Sequence, residues 1–389
     1  MTERLYYTDA YGAYFRAQIV DRSDEGRRVY LDRSAFYPTS GGQLHDLGTL
    51  NGIKVLEVVD EDHRVAHVLE QTLPDYTEEV EGLIDWKRRF DFMQQHTGQH
   101  LLSAMLEDEY KWPTVSVHFG VESATLDVVA PDFDVTKLVE AERIANEIVV
   151  ANREVTVSFE DSSEVTGLRK PSGRAGTLRV VSIAEVDRSA CGGTHVRHTG
   201  EIGAILLRRA ERNKGFVRIE FLCGQRAVNA ARHDADLLTR AAQIFTAAVD
   251  DVPRLVEAQQ QQLKDLEREY RKLNTESAGY EARKHWDAAA PDASGLRRIQ
   301  LSFDSGAVKD REALAQSIVA LGGVVVVITS KSPVGVLLAS SADSNVDAGV
   351  SIRGVVTPLG GRGGGSPRLA QGTLPNAELL VQVRAALGF

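Results

Sequence analysis

Cys191-Gly192-Gly193-Thr194-His195 and His96-Thr97-Gly98-Gln99-His100 each carry two metal-binding side chains four residues apart. Together they offer one thiolate and three imidazoles, the donor set that borderline-soft zinc prefers. The histidine pair falls within Arg88–Glu109, where Phe92, Leu101, Leu102, Met105 and Leu106 mark an amphipathic helix. Side chains four apart on a helix share a face, so both imidazoles can reach one ion. The cysteine pair contains two glycines and follows Ala184-Glu185-Val186-Asp187, which predicts a loop after a strand, folded tightly around the same ion. A lone histidine is more often an ordinary packed side chain. Two such pairs in one chain point instead to a single site built from His96, His100, Cys191 and His195, with one zinc ion per chain.

The bulk composition is that of a soluble globular chain: 389 residues, 43% hydrophobic and 26% charged, enough for roughly two to four domains. Two cysteines make no disulfide framework. With Cys191 given to the metal, a reducing, cytoplasmic compartment is expected, and a Cys191–Cys223 disulfide is the alternative. Met1–Ala10 lacks the apolar centre of a secretory leader, and the apolar run Leu321–Thr329 is too short to cross a bilayer, so no membrane partner is expected. A net charge of −10 argues against indiscriminate duplex binding through a basic body. Charge is nevertheless local. Basic groups at Lys87, Arg88 and Arg89, at Arg169, Lys170 and Arg174, and at Arg208, Arg209, Arg212, Lys214 and Arg218 neighbour both metal segments in sequence and favour an RNA contact over merely solvated faces.

Taken in order, residues 1–85 alternate short β-like runs with turns and predict a small β-barrel or sandwich. Within it, Phe36-Tyr37-Pro38-Thr39-Ser40-Gly41-Gly42-Gln43 reads either as a simple turn or as a loop whose bare amides approach a ligand, which makes Ser40, Gly41, Gly42 and Gln43 candidate substrate contacts. Residues 86–224 combine the histidine-pair helix, a second helix at Asp134–Arg153 and several strands, an α+β domain in which a helix on an antiparallel sheet would bring the two metal segments together. Residues 225–287 are helical. A four-three apolar seam through Val252, Val256, Leu263, Leu266, Tyr270, Leu273 and Tyr280 suggests a helical hairpin or a modest homodimer contact, since Gln259 and Ser277 interrupt it. Residues 288–389 read as a small α/β domain with a glycine-rich loop, Gly360-Gly361-Arg362-Gly363-Gly364-Gly365-Ser366-Pro367. That loop lacks the Lys and Ser/Thr ending of a nucleotide P-loop, yet its amides, flanked by Arg362 and Arg368, could seat the phosphates of a larger ligand. The fold class expected is therefore α+β.

The combination of His-x-x-x-His with Cys-Gly-Gly-Thr-His resembles the editing domains of alanyl-tRNA synthetases and their free-standing relatives, the AlaX proteins. Leu5-Tyr6-Tyr7-Thr8-Asp9-Ala10 and Phe36–Gln43 resemble the N-terminal barrel of the longer AlaX forms, and Gly360–Gly372 is similar to the glycine-rich signature of the DHHA1 domain. The likeness covers nearly the whole chain. There is no room for an aminoacylation domain or its ATP motifs, so the resemblance is to the long, editing-only form. Threonyl-tRNA synthetase editing domains share the ligand pattern, but the Phe36–Gln43 loop and the C-terminal glycines favour the alanine side. The resemblance implies a hydrolase that deacylates tRNA-Ala carrying serine or glycine, with the barrel loop shaping selectivity and Arg362, Gly363, Gly364, Gly365 and Arg368 on the tRNA.

An aminoacyl ester is already activated, so such an enzyme must place water and stabilise an oxyanion. Zinc could ionise that water or position the substrate. Four protein ligands normally close a zinc site, so His96 or Cys191 is expected to stand back or to exchange. Thr97 occupies the position where zinc proteases carry a glutamate, which leaves no assignable base, and Thr97, Ser116 and His118 are candidate pocket residues. Three alternatives stay open: a zinc-stapled tRNA-binding protein without chemistry, an editor of another misacylated tRNA, and a metal-dependent hydrolase of small esters.

Overall fold

The computed structural model describes residues 1–389 apart from position 174, so Arg174 of the second basic group lies outside the described residues. The chain is a mixture of helices and antiparallel and parallel strands, and it divides into two compact units, Met1–Arg240 and Ala241–Phe389. No described helix is long and apolar enough to cross a membrane.

The first unit opens with β1 (Glu3–Arg4), β2 (Tyr14–Ser23), β3 (Arg28–Leu31), β4 (Arg33–Ser34), β5 (Gly48–Leu50), β6 (Ile53–Glu61), β7 (Arg64–Leu69) and β8 (Glu79–Ile84). Strands β2, β3, β7, β6, β5 and β8 pair in that order, and β8 returns to β2 to close a barrel. Alternation drives the closure: along β8, Glu79, Glu81 and Leu83 face outward while Val80 and Ile84 join Phe15, Val29, Leu31 and Leu50 inside. His67 is fully buried there, its Nδ1 donating to the Val29 carbonyl at 3.2 Å and its Nε2 accepting from Ser34 Oγ at 2.7 Å. Both nitrogens are satisfied by the neutral ring, and burial lowers its pKa to about 4.

Helix α1 (Trp86–Tyr110) follows directly. Asp85 caps it by accepting the Arg88 N–H, and Lys111 ends it in the left-handed conformation at φ 60°. The rest of the first unit wraps this helix: β9 (Thr114–Phe119), β10 (Ala124–Val128), α2 (Val135–Val150), β11 (Val155–Asp161), β12 (Thr177–Ile183), β13 (Asp187–Ala190), β14 (Ile205–Asn213) and β15 (Phe216–Cys223). They form a four-stranded sheet, β14-β15-β10-β9, and a three-stranded sheet, β11-β12-β13, both antiparallel. A Cβ on Gly98 would fall 2.3 Å from Cys223 Sγ, so the glycine inside the His-Thr-Gly-Gln-His run is what lets α1 seat on β15. Both cysteines are free.

The barrel is fastened to α1 by a buried ion pair. Arg89, on the first turn of the helix, is wholly buried and meets Asp46 through Nε at 3.0 Å and through Nη2. The same guanidinium donates to the carbonyls of Ala10 and Ala35, and Asp46 accepts the Tyr37 N–H. A residue expected on a basic RNA-facing patch is thus an internal rivet.

Helix α3 (Gln225–Phe245) runs across the boundary between the units. The second unit contains α4 (Val252–Ala288), β16 (Arg297–Phe303), α5 (Glu312–Val319), β17 (Val324–Lys331), β18 (Val334–Ser340), α6 (Ala348–Val356), β19 (Arg362–Gly365), β20 (Leu369–Thr373) and α7 (Leu379–Ala386). The sheet order is β16-β17-β18-β20-β19, with β16 and β17 parallel. Val324, Val326 and Ile328 face a core shared with α4 and α5, and Val325 and Val327 face α6 and α7, which explains the unbroken apolar run of β17. Within the Gly360–Pro367 segment read as a loop, Arg362–Gly365 form the edge strand β19, laddered to β20. Its glycines fit because Gly363 presses on Ile352 of α6, where a Cβ would stand 2.8 Å away, so packing overrides their weak strand propensity. Leu263, Leu266, Tyr270, Leu273 and Tyr280 of the α4 seam are exposed.

Replacing Arg89 by Met should leave Asp46 buried without its cation and cost about 3–5 kcal/mol in chemical denaturation. His67 gives a pH-dependent expectation. Its folded pKa is depressed, so the stability it confers is present above about pH 6.5 and is lost as the pH falls toward about 4, on the order of 3 kcal/mol. The stability gap between the wild type and His67→Gln, measured in urea, should therefore narrow between pH 7 and pH 4.5.

Candidate metal centre and its cavity

His96 and His100 face the same side of α1, and the loop after β13 brings Cys191 and His195 to them. The four potential ligand atoms lie within 4.8 Å of one another. Cys191 Sγ is 3.4 Å from His96 Nε2 and 3.4 Å from His195 Nε2. Around a tetrahedral ion with sulfur at about 2.3 Å and nitrogen at about 2.0–2.1 Å, such atoms stand about 3.5 Å apart. The two sulfur–nitrogen distances match that spacing, and the four side chains could hold one ion between them.

The hydrogen bonds behind the rings fit it equally well. Thr97 Oγ1 gives its one proton to the Met93 carbonyl at 2.8 Å, so toward His195 Nδ1, 3.2 Å away, it can only accept. Gln43 Oε1 accepts from the Thr194 N–H, which fixes the amide orientation, and the same oxygen is 2.8 Å from His96 Nδ1. Asp187 Oδ2 is 2.9 Å from His100 Nδ1. Each ring thus directs an Nδ1 proton to its acceptor and turns Nε2 inward, the arrangement that orients metal-bound histidines. Burial alone would raise the Cys191 thiol, but His96, His195 and His100 hold it well below the usual thiol range. Burial, aided by His96, lowers His195 to about 3 and keeps it neutral. Against burial, the Cys191 thiolate and Asp187 push His100 up to about 10. The ligand set is thus a thiolate, a neutral imidazole on His195 and, on His100, a ring whose Nε2 proton an incoming cation would displace.

Close approach sets the local sequence. A Cβ on Gly193 would lie 2.1 Å from His96 Cε1 and 3.1 Å from Gln43 Oε1, so the loop can lean on the histidine only with glycine there. Ser40 and Gln43 bond to each other through both backbone pairs, closing a tight turn with Gly41 and Gly42 at φ 56° and 86°. Ser40 and Gly41 reach the rim of a cavity of about 960 Å³, which His96, His100, Cys191 and Arg179 also line. A smaller cavity of about 380 Å³ adjoins it, with Ser116 in its wall.

The expected site residues are therefore distributed as follows. His96, His100, Cys191 and His195 converge. Gln43 is buried behind His96, with its Nε2 spent on Thr194 Oγ1 at 2.9 Å, so it supports a ring and does not face the cavity. Thr97 is buried and occupied with Met93, His195 and the Val196 N–H. Ser116 donates to Asp127 at 2.6 Å. His118 is exposed on β9 and lines neither cavity. In the second unit, Arg362 is exposed at the edge strand, whereas Arg368 caps the Ser341 and Ala342 carbonyls. The sequence reading gave Asp187 no role and placed Arg169 on a basic patch, whereas Arg169 donates to Asp187 Oδ1 at 2.8 Å and holds Asp108 with its other nitrogens. The available signal was a carboxylate four residues before the cysteine, at the start of a strand. Of the third basic group, Arg208 pairs with Asp234 and Arg218 with Asp127, while Arg209 and Lys214 stay exposed.

Comparison with known proteins agrees with this geometry. Residues 178–220 match the family model described as the threonyl and alanyl tRNA synthetase second additional domain. The alanyl-tRNA editing protein AlaX-L of Pyrococcus horikoshii is 30% identical over 96% of this chain and 94% of its own length. Alanine–tRNA ligases are also similar: that of Methanoregula boonei is 31% identical over 97% of the chain and that of Thermococcus kodakarensis 32% over 100%. The chain spans only 42% and 44% of those two ligases.

Gln43→Leu, which removes the acceptor behind His96, and Gly193→Ala, which displaces the ring, should each weaken metal affinity by about 10–100-fold. Chelator competition followed by metal analysis checks both.

Proposed function

The chain belongs to the family of the AlaX-L alanyl-tRNA editing proteins, and from that premise we propose that it hydrolyses the aminoacyl ester of tRNA-Ala bearing the wrong amino acid, serine or glycine, without charging tRNA itself. The observation that carries this reading is the convergence of His96, His100, Cys191 and His195, three of which, His96, His100 and Cys191, line a cavity large enough for an aminoacylated nucleotide.

Zinc is the metal that one sulfur and three nitrogens suit best. Bound there, it supplies a Lewis acid beside the ester and lowers the pKa of nearby water. The chain's own contributions are positional. Gln43, Asp187 and Thr97 hold the three rings with Nε2 inward, and Arg169 in turn holds Asp187. Tyr37 donates its hydroxyl to the Ser40 carbonyl at 2.9 Å and so fixes the turn whose exposed Ser40 and Gly41 meet the amino-acid end of the substrate. The Thr97 proton is committed to Met93, so Thr97 is not the base, and no other side chain is assigned that role.

In this reading, residues 1–85 supply the selectivity turn, 86–224 the ester site, 225–287 the helices, and 288–389, with Arg362 and the Gly363–Gly365 edge, the grip on the tRNA body. The exposed Leu263–Tyr280 seam of α4 is the proposed contact of a homodimer. The substrate implies work in the cytoplasm. A second reading keeps weight because four donors can also close a purely structural site: a zinc-stapled tRNA-binding protein, which would unfold when stripped of metal.

Deacylation of Ser-, Gly- and Ala-tRNA-Ala, with and without chelator, tests the proposal. Serine, with or without glycine, should be released and alanine spared. Chelation should abolish activity in a protein that stays folded by circular dichroism. His100→Ala and Cys191→Ala should each lose more than the roughly 10–100-fold typical of an outer hydrogen-bond partner. Full activity in either variant would contradict the assignment.

A further inference from the structure

Arg179 is the one charged residue of β12, set in the run Leu178-Arg179-Val180-Val181, and only 9% of it is exposed. Its Nε donates to the Tyr7 carbonyl at 3.0 Å and its Nη1 to the Cys191 carbonyl at 2.7 Å. Its guanidinium also lies against the Tyr7 ring, 5.6 Å from the centroid. Among the described residues no carboxylate pairs with it, and Nη2 has no hydrogen-bond partner. The charge that bears on it most is the Cys191 thiolate, which a bound metal would claim. Arg4, the other arginine in the cavity wall, is already taken by Asp60 at 2.8 and 2.6 Å. A buried cation without a counter-charge is costly unless a ligand brings the anion.

Phe159 stands directly opposite Arg179 in the antiparallel register of β11 and β12. Opposed residues share one face of the sheet with Cβ atoms about 5 Å apart. On that face the neighbours Val155, Val181 and Ile183 are buried in the core, whereas Phe159 is 50% exposed, and both it and Arg179 line the cavity that contains the metal ligands. An uncountered guanidinium beside an open aromatic ring is complementary to a nucleotide: an anionic phosphate for one, the flat face of a base for the other.

We infer that Phe159 and Arg179 form the seat of the nucleotide that carries the ester, with Arg179 binding its 5′-phosphodiester and Phe159 stacking its base. This rests on the aminoacyl-ester reading above and adds two residues which that reading does not use. Arg179 hydrogen-bonds the backbone of Cys191 and both line the cavity, so the ester at one end of the ribose and the phosphate at the other fall to adjacent parts of one wall. Arg179 also positions Cys191, accepting its N–H at 3.0 Å while holding its carbonyl, so loss of activity in a variant does not by itself report on phosphate binding.

The test therefore compares two non-hydrolysable probes on the metal-loaded full chain: 3′-serylamido-3′-deoxyadenosine with and without a 5′-phosphate, titrated by calorimetry. The wild type should bind the phosphorylated probe about 10–100-fold more tightly. In Arg179→Gln that gap should collapse to about threefold or less, with Arg179→Lys restoring part of it, at unchanged metal content. Phe159→Ala should weaken both probes by a similar factor, about 10-fold, and leave the gap intact. A wild type that binds the two probes equally, or not at all, overturns the seat. So does a gap that survives in Arg179→Gln. In each of those cases continued deacylation of Ser-tRNA-Ala leaves the editing reading standing, whereas absence of deacylation of any misacylated tRNA-Ala removes that reading and the seat with it.

Discussion

A single side-chain amide ties the candidate metal centre together. Gln43 Oε1 is shared by the His96 ring and the Thr194 N–H, and Gln43 Nε2 reaches Thr194 Oγ1, so the barrel turn, helix α1 and the Cys191–His195 loop meet at one buried group. An amide buried without partners would cost about 1–3 kcal/mol. Here both of its ends are engaged, and the same bonds that satisfy it dictate which nitrogen of His96 faces the ligand cluster. The barrel, distant in sequence from both metal-binding segments, thereby sets the tautomer of a ligand.

The same economy recurs around the centre. Asp187 is held by Arg169 and Ser189 and in turn holds His100. Thr97 hands its proton back along its own helix and accepts from His195 and Val196. The Arg89–Asp46 pair fixes how the barrel meets the start of α1, one to two helical turns before the first ligand. Such charges would be poor stabilisers as isolated pairs, because removing them from water costs nearly what their attraction returns. Embedded among backbone carbonyls and amides, they define one geometry and leave few alternatives, which is what a ligand cluster with tolerances below an ångström requires.

Much of this was legible in the chain. The i, i+4 spacing of His96 and His100 needed only helix geometry, and the glycines at 192 and 193 announced a tight loop, although the reason for glycine at 193 is steric contact with His96 and not a special dihedral. Alternating short strands announced a small β-barrel or sandwich without deciding between them. What sequence could not carry was long-range pairing. Gln43 lies 53 residues from His96 and 151 from Thr194, so its reading as a substrate contact had nothing to set against it. Arg89 and Arg169 looked like members of basic patches because their carboxylate partners are remote, and the glycines of β19 looked like a loop because only packing on α6 makes them a strand. Arg179, a charge beside a run of apolar residues, was, like Asp187, an overlooked residue whose sequence context signalled a role.

The central claim is that one thiolate and three imidazoles grip a single ion. Zinc-edge X-ray absorption on purified, metal-replete protein addresses it directly. The account predicts one zinc per chain with one sulfur at about 2.3 Å and nitrogen-type scatterers at about 2.0–2.1 Å, the latter with the outer-shell scattering of imidazole rings. A spectrum with no sulfur, with two sulfurs, or with only oxygen-type neighbours would contradict it.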